Sequence, residues 1–488
     1  MPNQPSKPKR VSQYYKLGRG QESLEFVDVN VRNDTRLFLD PGAIRLLETE
    51  FSSRCSSLIQ SFFGYILECI RTGKEKEAKD LLASLSEPNE TRLGYTKGRA
   101  KGHGVGRGLA GDLYSSIANS KAVQTGLLQD LEEAALFIDG INKDVISDIV
   151  TNIIRGALLD FTAEMCAKYK IPTKPGIVFR VWNSAKKGWE EQIASVPVVD
   201  SRPLILIPRS FVRRLHNVFA PDRYYTHYIL PYLQNQHVNA NSSLVEVLAD
   251  GSTKEPTKKA LREIHTDVKD TNITITQQDP SRLGAYMDDA EKEFEAISHE
   301  DLATSEGAKG PNFEKLLADV LTVPAGDKHA TAYHLSVEKL LTALFYPSLD
   351  DPKIEYNLHE GRKRIDINYT NIARHGFFYW VHDTHKIKAT FIPVEAKNYD
   401  KTQVNNKELD QLTGRFGKNR GQLGFLCYRS VKDKKTLLQR QRDAVSDGRG
   451  YVIALDDEDL KELVRERQLV IEGTSEFQSL RNKLQALT

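Results

Sequence analysis

Apolar residues recur at helical spacing from Asp40-Pro41 onward, first as Ala43, Ile44, Leu46 and Leu47 and then from Leu58 through Phe62 and Phe63 to Ile70. Asp40 followed by Pro41 predicts an N-cap with proline at the first helical position. Further helical spacing covers Leu127–Phe137 and Val145–Tyr169. Val178–Trp182 and Leu204–Ile207, the latter stopped by Pro208, read as strands because they are rich in β-branched and aromatic residues. From about Asn239 to Gly310 the chain turns polar, with helical pieces such as Met287–Ile297. Residues 305–311 are its most linker-like part.

Beyond that point the pattern becomes regular. A helix is predicted near Thr331–Phe345, ending before Pro347. Strands follow at Lys353–Asn357 and Arg364–Tyr369, and then comes the aromatic segment Gly376-Phe377-Phe378-Tyr379-Trp380-Val381. A strand at Ala389–Lys397, a helix at Asn406–Phe416, a strand at Gly421–Cys427, a helix at Lys434–Val445, a strand at Tyr451–Leu455 and a helix from Asp457 complete the series. Strands alternating with helices imply an α/β fold, with a central mixed sheet flanked by helices on both faces.

At 488 residues the chain exceeds one ordinary core. The expected division is a flexible basic tail over 1–22, a mixed α+β recognition or regulatory domain over 23–238, a partly helical connector over 239–310, and the α/β domain over 311–488. Lys plus Arg number 68 and Asp plus Glu 66, so whole-chain charge selects no partner and local charge must do so. Cys55, Cys69, Cys166 and Cys427 form no CxxC pair, which argues against a structural zinc site and suits a reducing compartment. No apolar run approaches the ~20 residues that span a bilayer, and the first residues lack the apolar stretch of a signal peptide. A cytoplasmic protein with no membrane partner is therefore expected.

Candidate chemistry sits at the strand ends of the last domain. Glu395-Ala396-Lys397 closes the apolar strand Phe391-Ile392-Pro393-Val394, and a period of two puts Glu395 and Lys397 on one face. Asp366 lies between Ile365 and Ile367, so alternation points it away from both. Two carboxylates on adjacent strands can share a hard cation, and a neighbouring lysine can offset charge on a phosphate. Asp…Glu-x-Lys is a weak pattern by itself, because charged residues at strand ends are more often a solvated ion pair.

The order of elements gives the pattern its context. Arg364-Ile365-Asp366-Ile367, then Pro393-Val394-Glu395-Ala396-Lys397-Asn398-Tyr399, then Glu408-Leu409-Asp410-Gln411-Leu412 and Gly414-Arg415-Phe416 resemble the restriction-endonuclease-like PD-(D/E)XK superfamily. The likeness is to members found in bacterial restriction and antiphage defence, and it runs from about His329 to Glu466. It implies Asp366 and Glu395 as metal ligands, Lys397 as the third motif residue, and Glu338 as the acid that many members carry on the preceding helix. It also implies Mg²⁺ as cofactor, with Mn²⁺ able to substitute. One departure is the 28 residues between Asp366 and Glu395. If that insert displaces Asp366, Glu355 or Glu360 is the substitute.

Other residues have plainer alternatives. Glu338 in Val337-Glu338-Lys339 is a ligand or a solvated helix glutamate. Gln411 reaches the site or is a surface glutamine. Arg415 and Arg420 flank Gly417 and, with Lys418, grip phosphates or complement a helix C-terminus. From Arg415 to Arg442 there are nine Lys/Arg and one acid, Asp433, which supports a polyanionic partner. The aromatic cluster at 377–380 stacks on bases or, more simply, packs the insert. The glycine-rich loop from Lys97 to Gly108 offers backbone N–H groups and the cations Lys97, Arg99 and Lys101 to an anion, without P-loop or Rossmann spacing, or is simply a mobile loop. The histidines, including His334, show no metal-ligand spacing.

The reading that follows is an Mg²⁺-dependent endonuclease hydrolysing DNA phosphodiester bonds in restriction or antiphage defence, with the N-terminal half recognising a target, a trigger or a partner. A homodimer and a defence-system partner protein are both compatible with it. The alternatives are a catalytically silent nucleic-acid-binding protein on the same fold and a nuclease directed at RNA.

Overall fold

The computed structural model describes all of the chain except residues 1–9, 95–106, 129, 215–219, 249–251, 293–295, 307–308, 359–362, 400–403, 430 and 470–476. The basic loop residues Lys97, Arg99 and Lys101 therefore lie outside the described residues, as does Glu360. Nothing is described of the Glu355 side chain either. Two compact units emerge: Met1–Val11 with Val29–Ala296, and Ser12–Asp28 with Ile297–Thr488. Among the described residues no helix is long and apolar enough to cross a membrane.

The first unit is mainly helical. Asp40 caps the helix Pro41–Leu46 by accepting from Gly42 N at 2.9 Å, with proline at its start as expected. The helical spacing does not continue unbroken, because Glu48 takes a left-handed φ of 52° and Thr49 caps a second helix, Glu50–Arg71. That helix packs with the longest one, Lys143–Tyr169, and a hairpin of Lys174–Asn183 with Gly188–Val196 lies beside them. Leu204–Ile207 does not become a strand. Its side chains are buried, but Leu204 N donates to Pro197 O, Ile205 N to Glu90 O and Leu206 N to Thr162 Oγ1. Separate acceptors thus satisfy the backbone where a ladder was expected.

The segment expected as a connector is instead part of this unit as far as Ala296. Helices Lys258–Ile264, Val268–Gln278 and Ser281–Lys292 carry buried residues, among them Leu261, Ile273 and Tyr286, with Tyr286 in ring contact with Tyr224 and Tyr228. Its polar composition hides the few apolar residues that dock it.

The second unit is built on a five-stranded mixed sheet. Its strands are β1 (Leu349–Leu358), β2 (Lys363–Asn371), β3 (Phe391–Lys397), β4 (Leu423–Tyr428) and β5 (Tyr451–Leu455), in spatial order β5-β4-β3-β2-β1. The pairs β1/β2 and β2/β3 are antiparallel, while β3/β4 and β4/β5 are parallel. The helices that figure below are α1 (Phe313–Leu321), α2 (Ala330–Phe345), α3 (Asn406–Thr413), α4 (Lys434–Ser446), α5 (Asp457–Leu469) and α6 (Gln478–Gln485), and the unit also holds the helix His299–Glu306. Alternation divides the strand residues between two cores. Ile367, Tyr369, Ile392, Val394, Ala396, Phe425 and Cys427 join residues of α2, α5 and α6, whereas Leu426, Tyr428, Val452 and Ala454 join Leu409 and Leu412 of α3 and Leu437 of α4.

Two further features of this unit bear on expectation, one choosing between alternatives and one correcting a boundary. The aromatic segment forms a short helix, Gly376–Tyr379, continued by a π-helical turn, Trp380–Thr384, and Phe377 and Phe378 are buried in the larger core. Its role is packing, and base stacking by Phe377 and Phe378 is thereby removed. The presumed tail also contributes structure, because Ser12–Asp28 belongs to this unit. Ser23, Leu24 and Phe26 have no exposed surface, and Asp28 closes the segment by accepting from Ser12 N at 2.7 Å and Ser12 Oγ at 2.5 Å.

Candidate active site

The β2/β3 register runs Ile367↔Val394, Asn368↔Pro393, Tyr369↔Ile392 and Thr370↔Phe391. One step further along the same register sets Asp366 opposite Glu395. Directly opposed residues of an antiparallel pair share a face, so the two carboxylates lie on the α3 side of the sheet. The insert between them is a loop-and-helix excursion that leaves the register intact, and no substitute for Asp366 is required. Asp366 Oδ2 accepts from Ala396 N at 3.0 Å, which fixes the carboxylate against β3.

Glu395 is wholly buried. Its Oε2 accepts from Lys397 Nζ at 3.2 Å, as the strand period demands, and from Gln411 Nε2 of α3 at 3.1 Å. Arg415 Nη2 lies 3.5 Å from Oε1, yet Oε1 accepts no hydrogen bond. Burial, and then the Asp366 carboxylate, push the Glu395 carboxyl up to about 7, against the pull of Lys397 and Arg415. This deeply desolvated carboxyl faces a second carboxylate and keeps one oxygen without a hydrogen-bond donor, although Arg415 stands near it.

Helix α3 brings Gln411 to the site because Asn405 caps it. Asn405 Oδ1 accepts from Lys407 N at 2.9 Å, and Glu408 reaches back to Asn405 N at 2.9 Å. Arg415 is mostly buried, with 11% of its side chain exposed, and its guanidinium turns toward Glu395. Lys418 is exposed, as expected of a basic face, and Arg420 donates from Nη2 to Phe416 O at 3.2 Å.

Glu338 is the clear departure. It lies on α2 with no exposed surface, and both its oxygens accept from Arg19, Nη1 to Oε1 and Nη2 to Oε2, each at 3.1 Å. Helix α2 packs on the face lined by Ile367, Val394 and Ala396, whereas Asp366 and Glu395 point to the opposite face. Both oxygens of Glu338 are thus taken up by a guanidinium rather than by the Asp366–Glu395 pair.

A residue without a sequence signal takes its place at the edge of the site. His334, one turn before Glu338, donates from Nε2 to Ala396 O at 2.6 Å and stands 3.8 Å from Asp366 Oδ2. With Asp366 on the N–H of Ala396 and His334 on its carbonyl, the backbone between Glu395 and Lys397 is gripped from both sides. Four-residue spacing on a helix is too common to have marked His334 out.

Among the described residues no three His, Cys, Asp or Glu side chains converge as a metal-binding group. The protein's own contribution at this point is two carboxylates, and that donor set fits a hard cation that keeps several waters, as Mg²⁺ does. The unsatisfied, buried Oε1 of Glu395 is consistent with such an ion. All four cysteines are buried and free.

Comparison with known proteins adds one finding. Residues 16–219 match a family described as a domain of unknown function, DUF8370. No curated protein and no solved structure matches the chain. The matched stretch ends well before Asp366, so the site rests on its own geometry.

Proposed function

We propose that the unit formed by Ser12–Asp28 and Ile297–Thr488 is a metal-dependent nuclease of the PD-(D/E)XK type, hydrolysing phosphodiester bonds of DNA. The observation that carries this reading is the meeting of Asp366, Glu395 and Lys397 on one sheet face across a 28-residue insertion. A solvated ion pair at a strand end would not need its glutamate wholly buried, with one oxygen lacking a donor.

Asp366 and Glu395 would hold the ion, Mg²⁺ or in its place Mn²⁺. When bound, that ion would acidify a water and offset charge gathering on the phosphate. Lys397 donates to Oε2 of Glu395 in the resting site, and its ammonium would supply a counter-charge to a non-bridging phosphate oxygen. Gln411 orients the same oxygen from the helix side. Ala396, clamped by Asp366 and His334, keeps Glu395 and Lys397 in register.

The place in restriction or antiphage defence follows from the family resemblance alone, as do DNA as partner and the assignment of recognition to the first unit. Incubating the full-length protein with supercoiled plasmid and with RNA, in Mg²⁺ or in EDTA, tests the activity. The expected result is nicking or linearisation of plasmid in Mg²⁺ alone. Cutting that persists in EDTA contradicts metal dependence, RNA as the only substrate redirects the specificity, and no cutting of either favours the silent nucleic-acid-binding alternative.

A further inference from the structure

Beside Glu395, on the same face, lies a small, partly open cavity of about 40 Å³. Asn368 and Pro393, the next cross-strand pair along β2 and β3, form its floor, two residues and ~7 Å from Asp366 and Glu395. Arg415 and Arg420 line it with Phe416 and Gly421, and none of its lining residues is an acid. Arg415 spans the two places: its Nη2 reaches toward Glu395, while its buried Nε donates to nothing.

The cavity is held by a stiff frame. Gly417 N donates to Gly421 O at 3.1 Å and Gly421 N to Gly417 O at 3.0 Å, closing the turn that carries Arg420. Gly421 has φ 138°, and a Cβ there would fall 2.7 Å from Phe391 O, so no side chain can stand in that position without moving β3. Phe391 N in turn donates to Arg420 O of this turn at 2.9 Å.

Size and charge select the occupant. A water takes on the order of 10–15 Å³ of such space, so the cavity admits a few waters or one compact oxyanion and is too small for a nucleobase. Two guanidinium groups and an amide, with no carboxylate among them, favour a group with several acceptor oxygens. We propose that this cavity is a phosphate-binding pocket that seats the backbone phosphate next to the one being cut, set by Arg415, Arg420 and Asn368. The seat in a nucleic-acid strand rests on the nuclease reading, whereas the affinity for phosphate does not. The pocket would fix the strand's register on the site, so that binding at one phosphate aligns its neighbour with Asp366 and Glu395.

The test uses the full-length protein and has two arms. In the first, inorganic phosphate is titrated and followed by the broadening of its ³¹P resonance. The wild type should show saturable binding, weakened by roughly tenfold or more in Asn368→Leu, which fills the cavity, and in Arg420→Met. Lys315→Ala, at an exposed position of α1, should bind like wild type. Absence of saturable binding, or equal binding by wild type and Arg420→Met, overturns the proposal, and Arg420→Met decides the matter alone if Asn368→Leu does not fold. In the second arm, duplexes carry a single neutral methylphosphonate at successive positions from the cut. One position should lower cleavage by about tenfold in wild type and have no further effect in Arg420→Met. Full additivity at every position overturns the seat in the strand. Phosphate binding by a protein that cuts nothing supports the pocket and sinks the nuclease reading, so the two failures are separable.

Discussion

Glu338 and Glu395 are both wholly buried glutamates of the second unit, and they are kept in opposite ways. Glu338 gives one oxygen to each arm of the Arg19 guanidinium, a matched pair in which charge and hydrogen bonds are both met. Glu395 gives one oxygen to Lys397 and Gln411, leaves the other without a donor, and faces the carboxylate of Asp366, with its proton held up to about 7. On the proposed reading, Glu338 serves stability and has its needs satisfied, while Glu395 serves chemistry and is left wanting a partner that arrives later. Burial alone does not distinguish the two, but the completeness of pairing does.

The largest expected effect is on the unsatisfied side. Lys397→Ala and Asp366→Ala should each lower cleavage by about a thousandfold, the scale of losing charge stabilisation in the transition state, while thermal melting stays near wild type. Near wild-type rates in both variants would remove the site altogether.

Next comes the satisfied side, where the loss is in stability. Glu338→Ala leaves the Arg19 guanidinium buried without its partner and should cost about 3–5 kcal/mol in denaturant unfolding. The double variant Arg19→Met with Glu338→Leu should recover most of that, because removing both charges also removes the desolvation cost. Metal binding by the folded fraction should be unchanged. A single variant of Glu338 that melts normally but has lost its metal would reverse the comparison.

A third effect follows from the raised carboxyl of Glu395. Because the folded protein retains a proton that the unfolded chain gives up near 4.5, this group's contribution to the stability of the metal-free protein is full below that pH and is lost as pH rises through about 7. A cation that binds Glu395 displaces the proton, so Mg²⁺ should raise the melting temperature more at pH 8 than at pH 6. A gain in melting temperature that is the same at both would mean Glu395 is not a ligand.

Smaller still is the effect of Gln411→Ala. Loss of one neutral donor to Oε2, with Lys397 remaining, should reduce cleavage about tenfold. No change in rate would place Gln411 with the scaffold rather than the site.

The sequence made some of this legible and concealed the rest. Strand β3 announces itself through alternation, and the same alternation puts Glu395 with Lys397 and aims Asp366 away from Ile365 and Ile367. That the insert would return the chain in register could not be read, because antiparallel pairing depends on the ladder and not on the length of what it encloses. The fate of Glu338 was hidden for a different reason. Its partner lies 319 residues away, in a segment whose basic, glycine-containing composition reads as a tail although Leu24 and Phe26 anchor it. The run of cations from Arg415 to Arg442 suggested a face, yet burial turned Arg415 inward to Glu395 while Lys418 remained outside. Local pattern specifies elements and faces, whereas pairings between distant charged groups emerge only when the fold brings them together.

Glu395 is central to the proposed cleavage, and Glu395→Gln isolates its charge, because the substitution keeps shape and burial. Wild type and variant, each verified as folded by circular dichroism and melting, are incubated with the same labelled duplex in Mg²⁺. The account predicts that the wild type cuts and the variant does not, with the variant melting at or above the wild-type temperature in metal-free buffer at pH 8. Equal cutting by the two proteins would contradict it.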